Sequence, residues 1–347
     1  MRPDSRIWSF IVPIAAVILA LMIASIVILL IGKNPIVAYG ALIKGAFGGR
    51  QAIADTIIKT TPLILTGLAV GFGFRAGVFN IGAEGQMIMG ALIATVVGIN
   101  LGGVPPVIAI PVTMLIGMLA GAGWAAIAGY LKAKTGAHEV VSTIMLNWIA
   151  TYLSSYMVTE PLAVGSGTPK SPEIAESAKL PPLLTIGATE MTSGIIIAIV
   201  AAIIMYIILE KTTTGYEVKA AGFNPYAAEY GGISISKNIT MSMAISGALA
   251  GLAGALEVMG VHHRFLGTLS GGKGFDGISV ALIGQNHPIG IMFAAFLMAS
   301  LRTGSNEMQF VGVPKHIIMI VQGIVIFLVA ADRIVRTILI RKKKVGS

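Results

Sequence analysis

The chain contains no cysteine, which excludes disulfide frameworks, thiolate nucleophiles and cysteine-ligated metal sites together. Charge is scarce as well: Asp, Glu, Lys and Arg make up 11% of its 347 residues, against roughly 25% in an ordinary soluble domain. It has no Gly-x-Ser-x-Gly element, no Walker A loop and no evident pair of catalytic carboxylates, so neither an esterase nor a nucleotide hydrolase is expected on this chain. The five histidines, His138, His262, His263, His287 and His316, fall at no metal-ligand spacing. No metal site and no bound cofactor are expected.

What the chain has in quantity is apolar surface. Hydrophobic residues account for 55% and mean hydropathy is +0.87, more than a soluble fold can bury. The net charge of +9 comes from Lys and Arg at the ends of apolar runs and in the cluster Arg341, Lys342, Lys343 and Lys344. Cytoplasmic membrane flanks carry this distribution, so the partner implied is lipid and not nucleic acid. The reading is a single all-α polytopic membrane domain over residues 1–347, in the cell membrane.

A membrane-crossing helix needs about 20 apolar residues. Runs of that kind occur at 10–32, 106–131, 139–160, 191–209, 238–260 and 311–331. The first is too long and too Ile-rich for a signal peptide and reads as a retained helix. Two further regions are interrupted: 61–99, broken near Arg75 and reopening on Phe79-Asn80-Ile81-Gly82-Ala83-Glu84-Gly85, and 276–303, broken at Gly284-Gln285-Asn286-His287-Pro288. Together they give about 8 to 10 segments, some discontinuous, and the glycine-rich opening in each half is the pattern of an inverted repeat. Alternation of sides places 211–237, Lys132 to Lys134 and Arg75 in the cytoplasm with the basic tail 333–347, and loops 33–60 and 161–190 outside. Glycines four apart, Gly117 with Gly121 and Gly247 with Gly251, predict close helix crossings.

Polar groups inside such segments are costly, about 2.5–3.5 kcal/mol for a charge at a helix centre. Those that lie in or beside the interrupted regions are the candidates for a substrate pathway: Phe79, Asn80, Glu84, Gln86, Asn147, Trp148, Asp276, Gln285 and Asn286. For Glu84, a carboxylate hydrogen-bonded to nearby backbone is an equal reading. Glu139, at a helix start, reads as structural. Trp148, Tyr152 and Tyr156 share one helix face, which suits either ligand stacking or a membrane-interface belt. In the cytoplasmic loop, Asn224-Pro225 opens a short helix closed by Gly231-Gly232, a shape that serves as a docking knob or as a plain connector.

The stretch Glu217-Val218-Lys219-Ala220-Ala221-Gly222, followed by Gly232-Ile233, resembles the Glu-Ala-Ala loop of ABC importer permeases, with Lys219 interrupting the strict pattern. Ser246 to Gly254 is similar to permeases of the ribose and branched-chain amino-acid group, and Phe79 to Gln86 to the nucleoside-type branch. The resemblance implies the permease subunit of an ATP-driven importer working by alternating access. It assigns ATPase coupling to Glu217, Ala220, Ala221, Gly222, Asn224, Pro225, Ala228, Glu229 and Gly232. It also implies a cytoplasmic ATPase subunit that uses the ATP, a second permease subunit, identical or not, and an extracytoplasmic substrate-binding lipoprotein. Nucleosides are the substrate expected, with a sugar or branched-chain amino acid, or an ion-coupled transporter, as the alternatives.

Overall fold

The computed structural model describes residues 5–328 apart from 166–168, 188, 268 and 315, with side chains from residue 15 onward. The basic tail 333–347 and the end of the 311–331 run lie outside the described residues. Thirteen helices are described. They are α1 (Ser5–Leu30), α2 (Pro35–Phe47), α3 (Arg50–Arg75), α4 (Ala83–Asn100), α5 (Pro106–Thr135), α6 (Glu139–Thr159) and α7 (Gly194–Lys211), then α8 (Thr213–Phe223), α9 (Pro225–Tyr230), α10 (Ile235–Glu257), α11 (Lys273–Ile283), α12 (Pro288–Phe310) and α13 (His316–Leu328). Strands β1 (Pro182–Ile186) and β2 (Thr189–Thr192) form an antiparallel hairpin.

Six helices, α3, α4, α5, α7, α12 and α10 with its π-helical extension to His262, are long and apolar enough to cross a membrane. The protein is an all-α membrane protein. α6 matches its expected span closely but is peppered with Ser, Thr and Asn.

The segment 33–60, expected as an outward loop, is helical instead. It holds α2, whose Asn34 side chain accepts from the Ile36 amide at 2.9 Å, and the first turns of α3. α3 therefore begins at Arg50 and not at 61. Arg50, Asp55 and Lys59 interrupt the apolar run without interrupting the helix.

α3 fixes the height of the bundle. Near its start Asp55 accepts from Thr189 Oγ1 of the hairpin at 3.1 Å; at its end Arg75 meets Gly222 of α8 and donates from Nε to the Asn286 carbonyl at 3.0 Å. Twenty residues of helix separate Asp55 from Arg75, about 30 Å, the thickness of a bilayer's hydrocarbon. The α8–α9 end and the hairpin end are thus opposite faces.

The core is a backbone-to-backbone crossing of α4, α5 and α10, as the spaced glycines predict. A Cβ on Gly121 would lie 2.3 Å from the Gly247 carbonyl oxygen, and one on Gly90 2.4 Å from Gly251 Cα. Around this centre, outward-facing Ile, Leu and Val on α1, α5 and α7 are exposed, where lipid covers them.

Candidate functional site

The break between α11 and α12 falls at 284–287, as the glycine, the amides and Pro288 predict. Gln285 and Asn286 both adopt left-handed backbone, φ +53° and +55°, a conformation Asn tolerates better than most residues. α11 has 11 residues, about 16 Å of rise, and so reaches only halfway through the bundle. Its N-terminus is held inside the protein by Glu84, whose carboxylate accepts from the amides of Gly272 at 3.1 Å and Gly274 at 2.7 Å. A carboxylate at a helix N-terminus satisfies amides that have no intrahelical partner and complements the dipole.

Asn80 and Gln86 pair reciprocally, Nδ2 to Oε1 and Nε2 to Oδ1, both at 2.9 Å. Asn80 also donates to Ser246 Oγ at 2.7 Å, and Ser246 donates to the Ala69 carbonyl at 2.5 Å. Asn147 accepts from the Gly85 amide at 2.8 Å and donates to the Ile81 carbonyl at 3.0 Å. These side chains fix the non-helical stretch before α4 to its neighbours. Phe79 stacks on Phe74 with centroids 5.0 Å apart. Trp148 is 55% exposed and stacks on Tyr152, also exposed, at 5.9 Å, on a face with the geometry of an interface belt. Glu139 pairs with Lys132 at 2.5 Å, as its structural reading expected.

None of the nine residues expected to line a pathway borders the large cavity that the bundle does contain. That cavity, about 820 Å³, opens at the hairpin end between α3, α12, α13, the end of α10 and the start of α11. Its charged lining is Asp55, Glu190 and Glu257 against Lys59, Lys273 and Arg302, three of each sign. Glu257 is buried and takes Lys273 Nζ at 2.6 Å, with His262 Nε2 at 3.5 Å. Arg302 meets Asp276 at 2.7 Å, which places Asp276 one side chain behind the cavity wall. His263, in the loop beyond, is held below its ordinary pKa by burial and then by Lys179, so it adds no charge near neutrality. A charge-balanced chamber of this size suits a neutral polar solute. Among the described residues no group of three or more His, Asp or Glu side chains is placed to hold a metal ion.

Two features shape the rim. α10 ends in a π-helical turn, Val258–His262, closed by His263 in left-handed backbone at φ +55°; such turns recur at functional sites. The chain around 171–180 runs beside it and takes its free carbonyls, with the Leu180 amide donating to Met259 at 2.9 Å and Ile174 to His263 at 2.9 Å. Arg264 also pairs with Glu173 and lowers that carboxyl's pKa.

At the opposite face, α8 packs its Gly222 against the α3–α4 turn and α9 projects outward. Asn224 caps α9 by accepting from the Ala227 amide at 3.2 Å. Pro225 opens it, Gly232 follows at φ +86° and Ala228 alone of its residues is buried. Phe223, Tyr226 and Tyr230 are 87%, 84% and 97% exposed. Glu217, Ala220 and Ala221 lie on α8, where Ala221 faces inward. Tyr226 and Tyr230 on α9, with Phe223 at the end of α8, make an exposed aromatic patch of the kind that protein contacts use.

Lys59, Lys273, Arg302 and Gln322 line the cavity but escaped the sequence reading. The signal that finds two of them is a charge inside a helix-length segment: Lys59 in α3 and Arg302 in α12 sit well away from either helix end, where lipid cannot be their environment.

Since Glu84 holds α11 and does not border the cavity, Glu84→Gln is expected to lower the thermal midpoint, by roughly 1–2 kcal/mol of stability, and to leave substrate affinity unchanged. Unfolding and equilibrium binding on one preparation check both halves.

A membrane bundle with a half-length helix, a charged cavity open at one face and a short exposed helix at the other has the parts expected of a membrane transport protein. Over residues 52–330 the chain matches the branched-chain amino acid transport system permease component family, and it belongs to that family. It is 40% identical to the guanosine ABC transporter permease protein NupP of Bacillus subtilis, over 99% of both chains. With the nucleoside ABC transporter permease protein NupB of Lactococcus lactis it shares 36% over 96% of its own length and 94% of NupB. The glucose ABC transporter permease protein TsgB13 of Haloferax volcanii is 33% identical over 92% of this chain and 87% of its own. No solved structure matches the chain.

Proposed function

We propose that this permease carries nucleosides inward through the cavity at the hairpin end, by alternating access driven by an ATPase bound at α9. The observation that carries the reading is the end-to-end similarity to permeases named for guanosine and nucleosides, and the charge-balanced cavity agrees with it, because nucleosides are neutral and polar. The exposed Phe223, Tyr226 and Tyr230 support a cytoplasmic ATPase at that end, so the hairpin end faces out and takes substrate from a binding lipoprotein. ATP is used on the partner and this chain binds no cofactor. A second permease subunit, identical or not, completes the pathway.

A sugar is the second reading, favoured by the similarity to the glucose permease. Uptake of labelled guanosine, challenged with inosine, ribose, glucose and leucine, separates the two. Inosine alone should compete; competition by glucose or ribose with inosine silent would establish the sugar reading instead.

A further inference from the structure

We propose that Asp55 and Lys59, one turn apart on α3, form a subsite for a vicinal diol of the substrate, the 2′- and 3′-hydroxyls of ribose when that substrate is a nucleoside. The inference rests on the nucleoside reading above and deepens it.

Most of the polar lining is engaged or out of reach. Lys273 and His262 lie on Glu257, and Arg302 on Asp276. Glu190 is unpaired, but it is exposed on β2, where water solvates it. Gln322 Nε2 is sealed off from the cavity. Asp55 and Lys59 differ from all of these, since both are half-buried in the lining. Asp55 gives only Oδ1 to Thr189; its Oδ2, like Lys59 Nζ, has no partner among the described residues and keeps an open surface. Four residues apart with the acid first, the two side chains are neighbours in the order that favours an ion pair. Among the described residues no such pair joins them. An acceptor and a donor therefore stand side by side on one helix face with a gap between them, inside a membrane-length helix where an unpartnered charge is costly. The gap calls for a ligand group that donates and accepts at once.

A vicinal diol is such a group. Each hydroxyl both donates and accepts, whereas a carboxylate only accepts and an ammonium only donates. Adjacent carbons hold the two oxygens close enough for one hydroxyl to donate to Asp55 while its neighbour accepts from Lys59. Hydrogen bonds with an ionised partner are the strong ones, and a carboxylate reads ribose in the same way in dinucleotide-binding folds. Base edges differ from one nucleoside to the next, but the diol is common to every ribonucleoside. A fixed acceptor and donor on one helix therefore suit the constant part of the substrate. Removing the 2′-hydroxyl breaks the bridge and leaves one of the site's own charged groups unpaired, which is the basis of discrimination against an analogue that lacks a hydroxyl.

The test is equilibrium binding of labelled inosine and 2′-deoxyinosine, which differ only at that hydroxyl, to the purified full-length permease in complex with its ATPase and without the lipoprotein. The wild type should prefer inosine roughly tenfold or more. Lys59→Met should weaken inosine binding by about tenfold and Asp55→Asn several-fold, while 2′-deoxyinosine loses less, so that the ratio falls toward one. Lys59→Arg, which keeps a charged donor, should keep the preference. A wild type without preference, equal losses for both ligands, or an unchanged ratio in both variants would overturn the subsite. Wild type that binds neither nucleoside overturns the nucleoside reading itself, and that result is distinct because it precedes any variant. Asp55→Asn keeps the size of the side chain and an oxygen for Thr189, so a folding failure in Lys59→Met leaves the proposal exposed to refutation.

Discussion

Gly222→Val is expected to insert in the membrane at normal level, bind substrate normally and lose ATP-driven uptake by roughly tenfold or more, the size of a typical coupling energy between sites. A Cβ at this position would lie 2.2 Å from the Arg75 carbonyl oxygen and 2.9 Å from the Gly77 nitrogen. Both are backbone atoms with nowhere to go. Gly77, at φ +72°, would itself place a Cβ 2.9 Å from Gly222 Cα, so α8 and the turn after α3 touch without side chains between them. That contact is stiff. It joins α9 to the helix that carries Lys59 and Asp55 at its other end, and a side chain wedged into it lifts α8 away. Gly231→Ala is the control, since its Cβ would meet nothing nearer than the Ala228 carbonyl oxygen at 3.3 Å; uptake should survive. Uptake and binding measured on the same membranes separate lost coupling from lost substrate recognition.

Gly251→Leu is expected to abolish the folded protein. Gly251 lies where α10 crosses both α4 and α5: a Cβ there would lie 2.5 Å from the Gly117 carbonyl oxygen and 3.0 Å from Gly121 Cα. Overpacking typically costs 1–3 kcal/mol and occasionally more. Here three backbones must separate, against a total stability of roughly 5–15 kcal/mol. The yield of monodisperse protein after detergent extraction should fall to background. Gly123→Val, on α5 with nothing within 4 Å of its Cβ, should extract like wild type.

The outline of the fold was legible because a bilayer enforces it. Long apolar runs must be helices, glycines spaced by four must let helices meet, and Gly284 to Pro288 cannot continue one. The Asn224 cap and the short α9 were also plain, since capping chemistry is local. The start of α3 was not. An unbroken apolar run is the mark of a helix surrounded by lipid, whereas α3 lines the hairpin-end cavity with Asp55 and Lys59, so the rule began the segment eleven residues late, at 61 instead of Arg50, and turned its first part into a loop.

The same cause hid the cavity lining. Sequence shows that a polar side chain in a membrane segment needs a partner but not whether that partner is solvent or protein. Asn80, Gln86, Ser246 and Asn147 satisfy one another and nearby backbone, and Glu84 spends both oxygens on α11. The groups left facing the cavity come from helices far apart in the chain, Lys59 and Gln322 among them, and no spacing links them.

ATP-driven transport by this permease is tested by guanosine uptake in cells that make it but lack the ATPase, compared with cells that have both, each before and after the transmembrane ion gradient is collapsed. Uptake should need the ATPase and should persist without the gradient while ATP is maintained. Uptake that continues without the ATPase and disappears with the gradient would make the chain an ion-coupled transporter instead.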